Sequence, residues 1–265
     1  MRTTVAGSEV FVGTGSRAFD SALPSVVFIH GAGMDHTIWV MAARHFARKG
    51  FCVLAPDLPG HGRSGGRPLT SVGAMADWLA ELLVVLGVSE AKVVGHSMGA
   101  LVAYTFCSRQ LEVCRQLVLL GISTPMPVAA ALLAAAQDDD PAAYAMANNW
   151  SHSQRGKFGG NETPGMWMFT AGQRLMERTL PGVFHADLAA CNTFDAPDAQ
   201  TIGCPVMVIA GSSDQMTPAA RGRGVVADLE QVHCHVELME LPGSGHAMLS
   251  ECPNAVLDLL IRALT

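Results

Sequence analysis

Val93-Val94-Gly95-His96-Ser97-Met98-Gly99 joins the end of an apolar run to the start of a helical pattern. The reading of this stretch decides the fold. Glycines two places before and two places after a serine suit a strand-to-helix elbow so tight that side chains at either flank would collide with the neighbouring strand and helix. Such an elbow holds the serine at a strained backbone position and pushes its Oγ outward. The pentapeptide alone recurs by chance, so its surroundings must decide whether Ser97 is a nucleophile.

Working outward, short apolar runs alternate with helical patterns. Strands are predicted at Glu9–Val12, Ser25–His30, Phe51–Ala55, Ala91–Gly95, Gln116–Leu120, Pro205–Ala210 and His233–Leu241. Helices are predicted at Thr37–Lys49, Val72–Leu86, Met98–Arg109, Pro218–Leu229 and Pro253–Leu264. The middle strands lack a polar face, as parallel strands covered on both sides do. The pattern predicts an α/β fold with a doubly wound, mostly parallel sheet, whose ligands bind beyond the carboxyl ends of the strands. The rhythm breaks between Pro125 and Ala196, where an Ala-rich helix, the acidic turn Asp138-Asp139-Asp140-Pro141, a Gly-rich stretch and two more helical pieces follow one another. We read residues 125–196 as a helical cap or lid, inserted between two parts of one core, 1–124 and 197–265.

Bulk properties narrow the function. Of 265 residues 49% are hydrophobic and 15% charged, which suits a buried-sheet enzyme rather than a disordered chain. A formal charge of −6 offers no basic stripe for nucleic acid. No run approaches the roughly 20 apolar residues of a membrane span, and Met1–Val5 lacks the apolar core of a secretory signal. Seven cysteines without C-x-x-C pairing read as free thiols in a reducing compartment, so a cytoplasmic location is expected. No pattern here bears on oligomeric state.

A serine hydroxyl needs a base, an orienter for that base, and donors for the oxyanion. The strand ends supply them. Asp214 lies in the loop Gly211-Ser212-Ser213-Asp214 and His246 in Leu241-Pro242-Gly243-Ser244-Gly245-His246. The chain order is therefore Ser97, Asp214, His246. Asp214 also reads as an N-cap or Asx-turn residue, and His246 as a capping histidine. His233-Cys234-His235 would set two imidazoles on one strand face, but no third ligand stands nearby and ordinary packing is preferred. No metal site is expected. His30, His61 and His96 flank the motifs and are read as loop braces.

With His30-Gly31-Ala32-Gly33, Asp57-Leu58-Pro59-Gly60-His61-Gly62-Arg63-Ser64, Gly95–Gly99 and the Asp214 and His246 loops in order, the chain resembles the α/β-hydrolase fold superfamily, in particular its serine esterase and lipase-like branch with a helical cap. The resemblance spans nearly the whole chain. It implies an acid after the seventh strand or, less often, the sixth; Gly121-Ile122-Ser123-Thr124-Pro125 after the sixth carries no carboxylate, which favours Asp214. It also implies an oxyanion hole built from the Met98 amide and a second amide after strand Ser25–His30, Ala32 with Gly33 as its neighbour.

The chemistry so implied is two-step acyl transfer on a small to medium, largely apolar carboxylic ester, without metal or organic cofactor. A lactonase, thioesterase or C–C bond hydrolase would use the same triad, and a non-catalytic ligand receptor could retain the fold. Gly31, Gly33, Met34, Trp39, Met126, Trp150 and Trp167 are candidate substrate-binding residues, with Met146, Met166 and Met168 as further linings. Core packing within the cap is the competing reading for most of them. Arg155, Lys157, Arg174 and Arg178 raise a carrier-bound or anionic substrate, against the commoner reading of exposed helix charge.

Overall fold

The computed structural model describes residues 1–160 and 168–265. Its strands are β1 (Arg2–Val5), β2 (Ser8–Gly13), β3 (Ser25–Ile29), β4 (Cys52–Pro56), β5 (Ala91–His96), β6 (Cys114–Leu120), β7 (Val206–Gly211) and β8 (Val236–Leu241). They form one sheet in the order β1-β2-β4-β3-β5-β6-β7-β8. The β1–β2 and β2–β4 pairs are antiparallel and every later pair is parallel.

The helices are α1 (Val40–Arg48), α2 (Val72–Val85), α3 (Met98–Arg109), α4 (Ala130–Gln137), α5 (Pro141–Ser151), α6 (Gln154–Lys157), α7 (Met168–Met176), α8 (Val183–Asn192), α9 (Ala219–Gln231), α10 (Met248–Glu251) and α11 (Pro253–Leu264). Alternation along each strand assigns them to two faces. Val27 and Ile29 of β3 and Val206 and Val208 of β7 share a core with α2, α3 and α9. Val26, Phe28, Met207 and Ile209 point the other way, toward α1 and α11. Because both faces are covered, β3, β4 and β7 are buried at every position. The doubly wound, mostly parallel sheet expected from the sequence is the one observed.

Three local readings need correction. The edge strand β1 was not foreseen, since its four residues bury only Val5. The helix expected over Thr37–Lys49 is a 3₁₀ turn at His36–Trp39 followed by α1, with the Asp35 carboxylate accepting from Thr37 N–H. The strand expected from His233 begins at Val236, because the C-terminal carbonyls of α9 capture the preceding amides. His233 N–H donates to Glu230 C=O and Cys234 N–H to Leu229 C=O, with His233 at φ +59°. The His233-Cys234-His235 stretch thus closes a helix, and its imidazoles do not share a strand face.

Helices α4 to α8 lie between β6 and β7 and bring their own small core. Leu132, Ala143, Tyr144, Ala147, Met176, Phe184 and Leu188 pack together there. The acidic turn ends with Asp140 capping α5, its side chain accepting from Ala142 N–H while Pro141 takes the first helical position. Two joints tie this insertion to the loop after β8. Ala247 N–H donates to Ser151 C=O at 2.8 Å, and the buried Glu251 carboxylate accepts from Ser153 N–H at 3.1 Å and Gly245 N–H at 3.2 Å.

Candidate active site

Ser97 stands between β5 and α3 at φ +56°, ψ −120°, a conformation that costs a non-glycine residue on the order of 1–3 kcal/mol. Neighbours too close for side chains enforce it. A Cβ on Gly95 would lie 2.0 Å from Gly99 O, and one on Gly99 would lie 2.3 Å from Ile29 O. The elbow's backbone is held by Ser97 N–H donating to Leu120 C=O at 2.8 Å. The flanking glycines therefore meet the steric need inferred from the sequence.

The loops after β7 and β8 bring an acid to a base. His246 Nδ1 lies 2.8 Å from Asp214 Oδ2, and both side chains are buried. It is Nδ1, not Nε2, that the ring turns to the carboxylate. Asp214 is itself fixed by an Asx turn, its Oδ1 accepting from Met216 and Thr217 amides at 2.8 Å each. Thr217 Oγ1 adds a bond to Asp214 Oδ2 at 2.8 Å and lies 3.0 Å from His246 Nδ1. Burial works to raise the Asp214 carboxyl, but the neighbouring His246 and the Thr217 hydrogen bonds outweigh it and hold the group below its ordinary value. The Asx-turn reading of Asp214 is thus met but the N-cap reading is not, since α9 starts at Ala219 after Pro218 with no side-chain cap.

Two backbone amides, those of Met98 and Ala32, stand without a protein acceptor among the described residues. Met98 opens α3, so its N–H has no intrahelical acceptor and sits at the positive end of the helix dipole. Among the described residues the Ala32 amide donates to no protein acceptor. The neighbouring Gly33 amide is already taken, donating to Asp187 Oδ2 at 2.8 Å. Of the two residues after β3, Ala32 is the one with a free donor.

The three flanking histidines brace loops. His30 is buried, accepts from Leu58 N–H through Nε2 at 3.1 Å and donates through Nδ1 to Gly31 C=O at 2.9 Å. His96 Nε2 donates to the backbone carbonyl of His246 at 2.9 Å. Burial above all, then imidazole neighbours, pushes His30 down to about 4 and His96 down to about 3. His61 differs. Its Nδ1 faces Pro59 C=O at 3.1 Å and its Nε2 faces Asp187 Oδ2 at 2.8 Å, so both nitrogens need a proton. Burial lowers its affinity for protons, but Asp187 more than offsets this, and the ring titrates above its ordinary value.

Ser97 and His246 line a cavity of about 180 Å³ with Gly31, Ala32, Met34, Met126, Trp150 and Met176 among its walls. Four of the sequence-predicted binding residues, Gly31, Met34, Met126 and Trp150, are thus brought together. Gly33 is not, since it faces a neighbouring pocket beside Asp35 and Arg178. Trp39 needs correction: it is fully buried, with its ring 5.1 Å from that of Phe28 in the core between β3 and α1, because Val40 rather than Trp39 takes the outward position there. Trp167 and Met166 lie outside the described residues. A second cavity of about 590 Å³ shares Met34, Ser151 and Met176 with the first and takes in Met168, Leu175 and Leu249.

Sequence reasoning missed Thr217, Glu251 and Asp187. For Thr217 a signal existed, since an Asp in a loop favours an Asx turn that draws the next few residues onto its carboxylate. Asp187 sits in an ordinary helical stretch and nothing local marks it.

Two side-chain clusters among the described residues have metal-ligand atoms close together: Cys107, Cys114 and Cys204, and Asp35, His36 and Asp57. Cys114 begins β6 and Cys204 precedes β7, at the sheet end opposite Ser97. In the second cluster Asp57 is occupied by His36 and by the Arg63 amide, and Asp35 by Thr37 and Arg178.

Known proteins share this architecture. An enol-lactonase from Burkholderia xenovorans LB400 superposes with TM-score 0.85 at 20% identity, covering 100% of this chain and 99% of that one. A thermophilic esterase superposes with TM-score 0.79 at 25% identity, covering 99% and 95%. In sequence, a pimeloyl-[acyl-carrier protein] methyl ester esterase from Chromobacterium violaceum is 28% identical over 84% of this chain and 87% of its own. An uncharacterized protein from Mycobacterium tuberculosis is 38% identical over 99 residues, so the match spans 37% of this chain and about three tenths (29%) of that relative's length. The sequence pattern of the Alpha/beta hydrolase family matches residues 26–259. The elbow at Ser97, the sheet that carries it and this match over most of the chain lead to one conclusion: the chain belongs to the alpha/beta hydrolase family.

Proposed function

We propose that this protein is a serine hydrolase that cleaves small to medium, largely apolar carboxylic esters. The observation that carries the reading is the buried His246–Asp214 pair at 2.8 Å opening on the same cavity as the strained Ser97. His246 Nε2 takes the Ser97 proton as Oγ adds to the ester carbonyl, and the Ala32 and Met98 amides hold the oxyanion. Asp214 stabilises the imidazolium so formed. The imidazolium then protonates the departing alcohol, and water, deprotonated by His246, attacks the acyl-enzyme and releases the acid. Residues 125–196 act as the cap, supplying Met126, Trp150 and Met176 to the pocket walls.

The cavity of about 180 Å³ is below the usual 300–1,000 Å³ of drug-sized ligand sites, which favours a short acyl or alcohol group. An ester is favoured over a lactone, thioester or C–C bond by the methyl ester esterase that resembles the chain over 84% of its length. Ser97→Ala should lose more than 1,000-fold of kcat on p-nitrophenyl butyrate with the melting temperature kept, and wild type should be labelled at Ser97 by a fluorophosphonate. A folded Ser97→Ala that still turns over, or an unlabelled wild type, overturns the assignment. The second result would favour a ligand receptor.

A further inference from the structure

We infer that Asp187 and His61 are positioning residues for the oxyanion hole, coupling the helical insertion to the Ala32 amide through Gly33. This rests on the serine-hydrolase reading above, which it deepens.

Gly33 is gripped on both sides of its backbone by the insertion. Its N–H donates to Asp187 Oδ2 of α8 at 2.8 Å, and its C=O accepts from Thr179 Oγ1 at 3.0 Å. The same helix closes over it, since a Cβ on Gly33 would lie 2.7 Å from the Phe184 ring. Gly33 directly follows Ala32. A grip on both polar groups of Gly33 fixes the backbone leaving Ala32, and so the direction of the Ala32 N–H that the oxyanion requires. Oxyanion donors work only if aligned before the charge develops.

The carboxylate that does this is an unusual neighbour for an oxyanion. Asp187 is fully buried, and its second oxygen, Oδ1, has no partner among the described residues. A lone negative charge there would oppose the charge that develops on the substrate. His61 answers it, because both ring nitrogens face oxygens and the doubly protonated ring makes the pair neutral. One oxygen, Oδ2, accepts from both Gly33 and His61. An amide cannot replace it: its oxygen could take Gly33, but a neutral His61 keeps its single proton on Pro59 and has none to give. The pair therefore both holds the loop and removes the charge penalty of the holder.

Asp187→Asn tests this with little change in volume. The expected result is a 30- to 100-fold fall in kcat on p-nitrophenyl butyrate with KM within threefold. Affinity for a boronic acid, which places an oxygen in the oxyanion hole, should fall in step with kcat. Thr179→Val, at a half-buried surface position, should lower kcat 3- to 10-fold while Thr179→Ser restores it, which keeps the test open if Asp187→Asn fails to fold. Fluorophosphonate labelling of wild type separates the two ideas. Labelled wild type with Asp187→Asn and Thr179→Val within twofold in kcat, or altered in KM alone, overturns the coupling. Unlabelled, inactive wild type overturns the serine-hydrolase reading itself.

Discussion

Acidification from pH 8 to pH 5 should withdraw about 4 kcal/mol of folding free energy through two buried rings. Burial holds His30 at about 4 and His96 at about 3, against an ordinary 6.5. The folded pKa is depressed, so below pH 6.5 the unfolded chain binds protons that the folded chain refuses. Stability is complete above that value and declines as pH falls toward the folded pKa. At pH 5 each unfolded ring lies about 1.5 units below its pKa, worth roughly 2 kcal/mol at about 1.36 kcal/mol per unit. Two rings give the total. His152, also lowered by burial, adds to the loss, whereas His61, raised by Asp187, opposes it. Against a typical folding free energy of about 5–15 kcal/mol the net effect is large.

Urea unfolding followed by tryptophan fluorescence at the two pH values measures it. His96→Gln isolates one ring: an amide can still donate to the His246 carbonyl, and the pH-dependent loss should shrink by about 2 kcal/mol. A His96→Gln variant with the pH dependence of wild type would refute the reasoning, and would mean that His96 takes up a proton in the folded protein.

Two predictions concern the pocket. Thr217→Val removes the hydroxyl from Asp214 Oδ2 and His246 Nδ1; kcat on p-nitrophenyl butyrate should fall about tenfold, in the range of misaligned acid–base groups, while the melting temperature stays within a few degrees. Met176 lines both the 180 Å³ and the 590 Å³ cavities, so Met176→Ala should merge them and shift preference toward longer acyl chains. The ratio of kcat/KM for p-nitrophenyl decanoate to acetate should rise at least tenfold, and an unchanged ratio would show that Met176 is not the divider.

Much of this site was legible because its parts are short-range. The Ser97 elbow needs two glycines within five residues, and Asp214 and His246 each follow a strand that reads as apolar in isolation. Trp39 misled for a simple reason: an aromatic residue just after a functional loop can face the loop or the core, and the 3₁₀ turn at His36–Trp39 rotates it inward. His233 misled because strand propensity is weaker than the demand of helix-terminal carbonyls for donors. Asp187 could not be found at all. Its partners, Gly33 and His61, are 154 and 126 residues away in sequence, and no spacing rule reaches across an insertion.

What unites the missed residues with the found ones is the way buried carboxylates organise the strand-end loops. Asp57 accepts from the amides of His36 and Arg63, Asp187 from Gly33, Asp214 from Met216 and Thr217, and Glu251 from Ser153 and Gly245. Loops that carry functional groups cannot satisfy their amides in a helix or sheet, and burial denies them water. A carboxylate has two oxygens and only acceptor capacity, so a single side chain can anchor several amides of irregular backbone. Asp187 and Glu251 bridge the sheet to the insertion, so the grip that shapes the loops also docks the helices above the cavity. The same device sets a limit in acid. Asp57 and Asp214 titrate below their ordinary values, because hydrogen bonds and neighbouring histidines outweigh their burial. Their contribution to stability is present above pH 4 and is lost as pH falls through those lowered values. The loops around Asp57 and Asp214, and with Asp214 the contact to His246, should therefore loosen in strong acid.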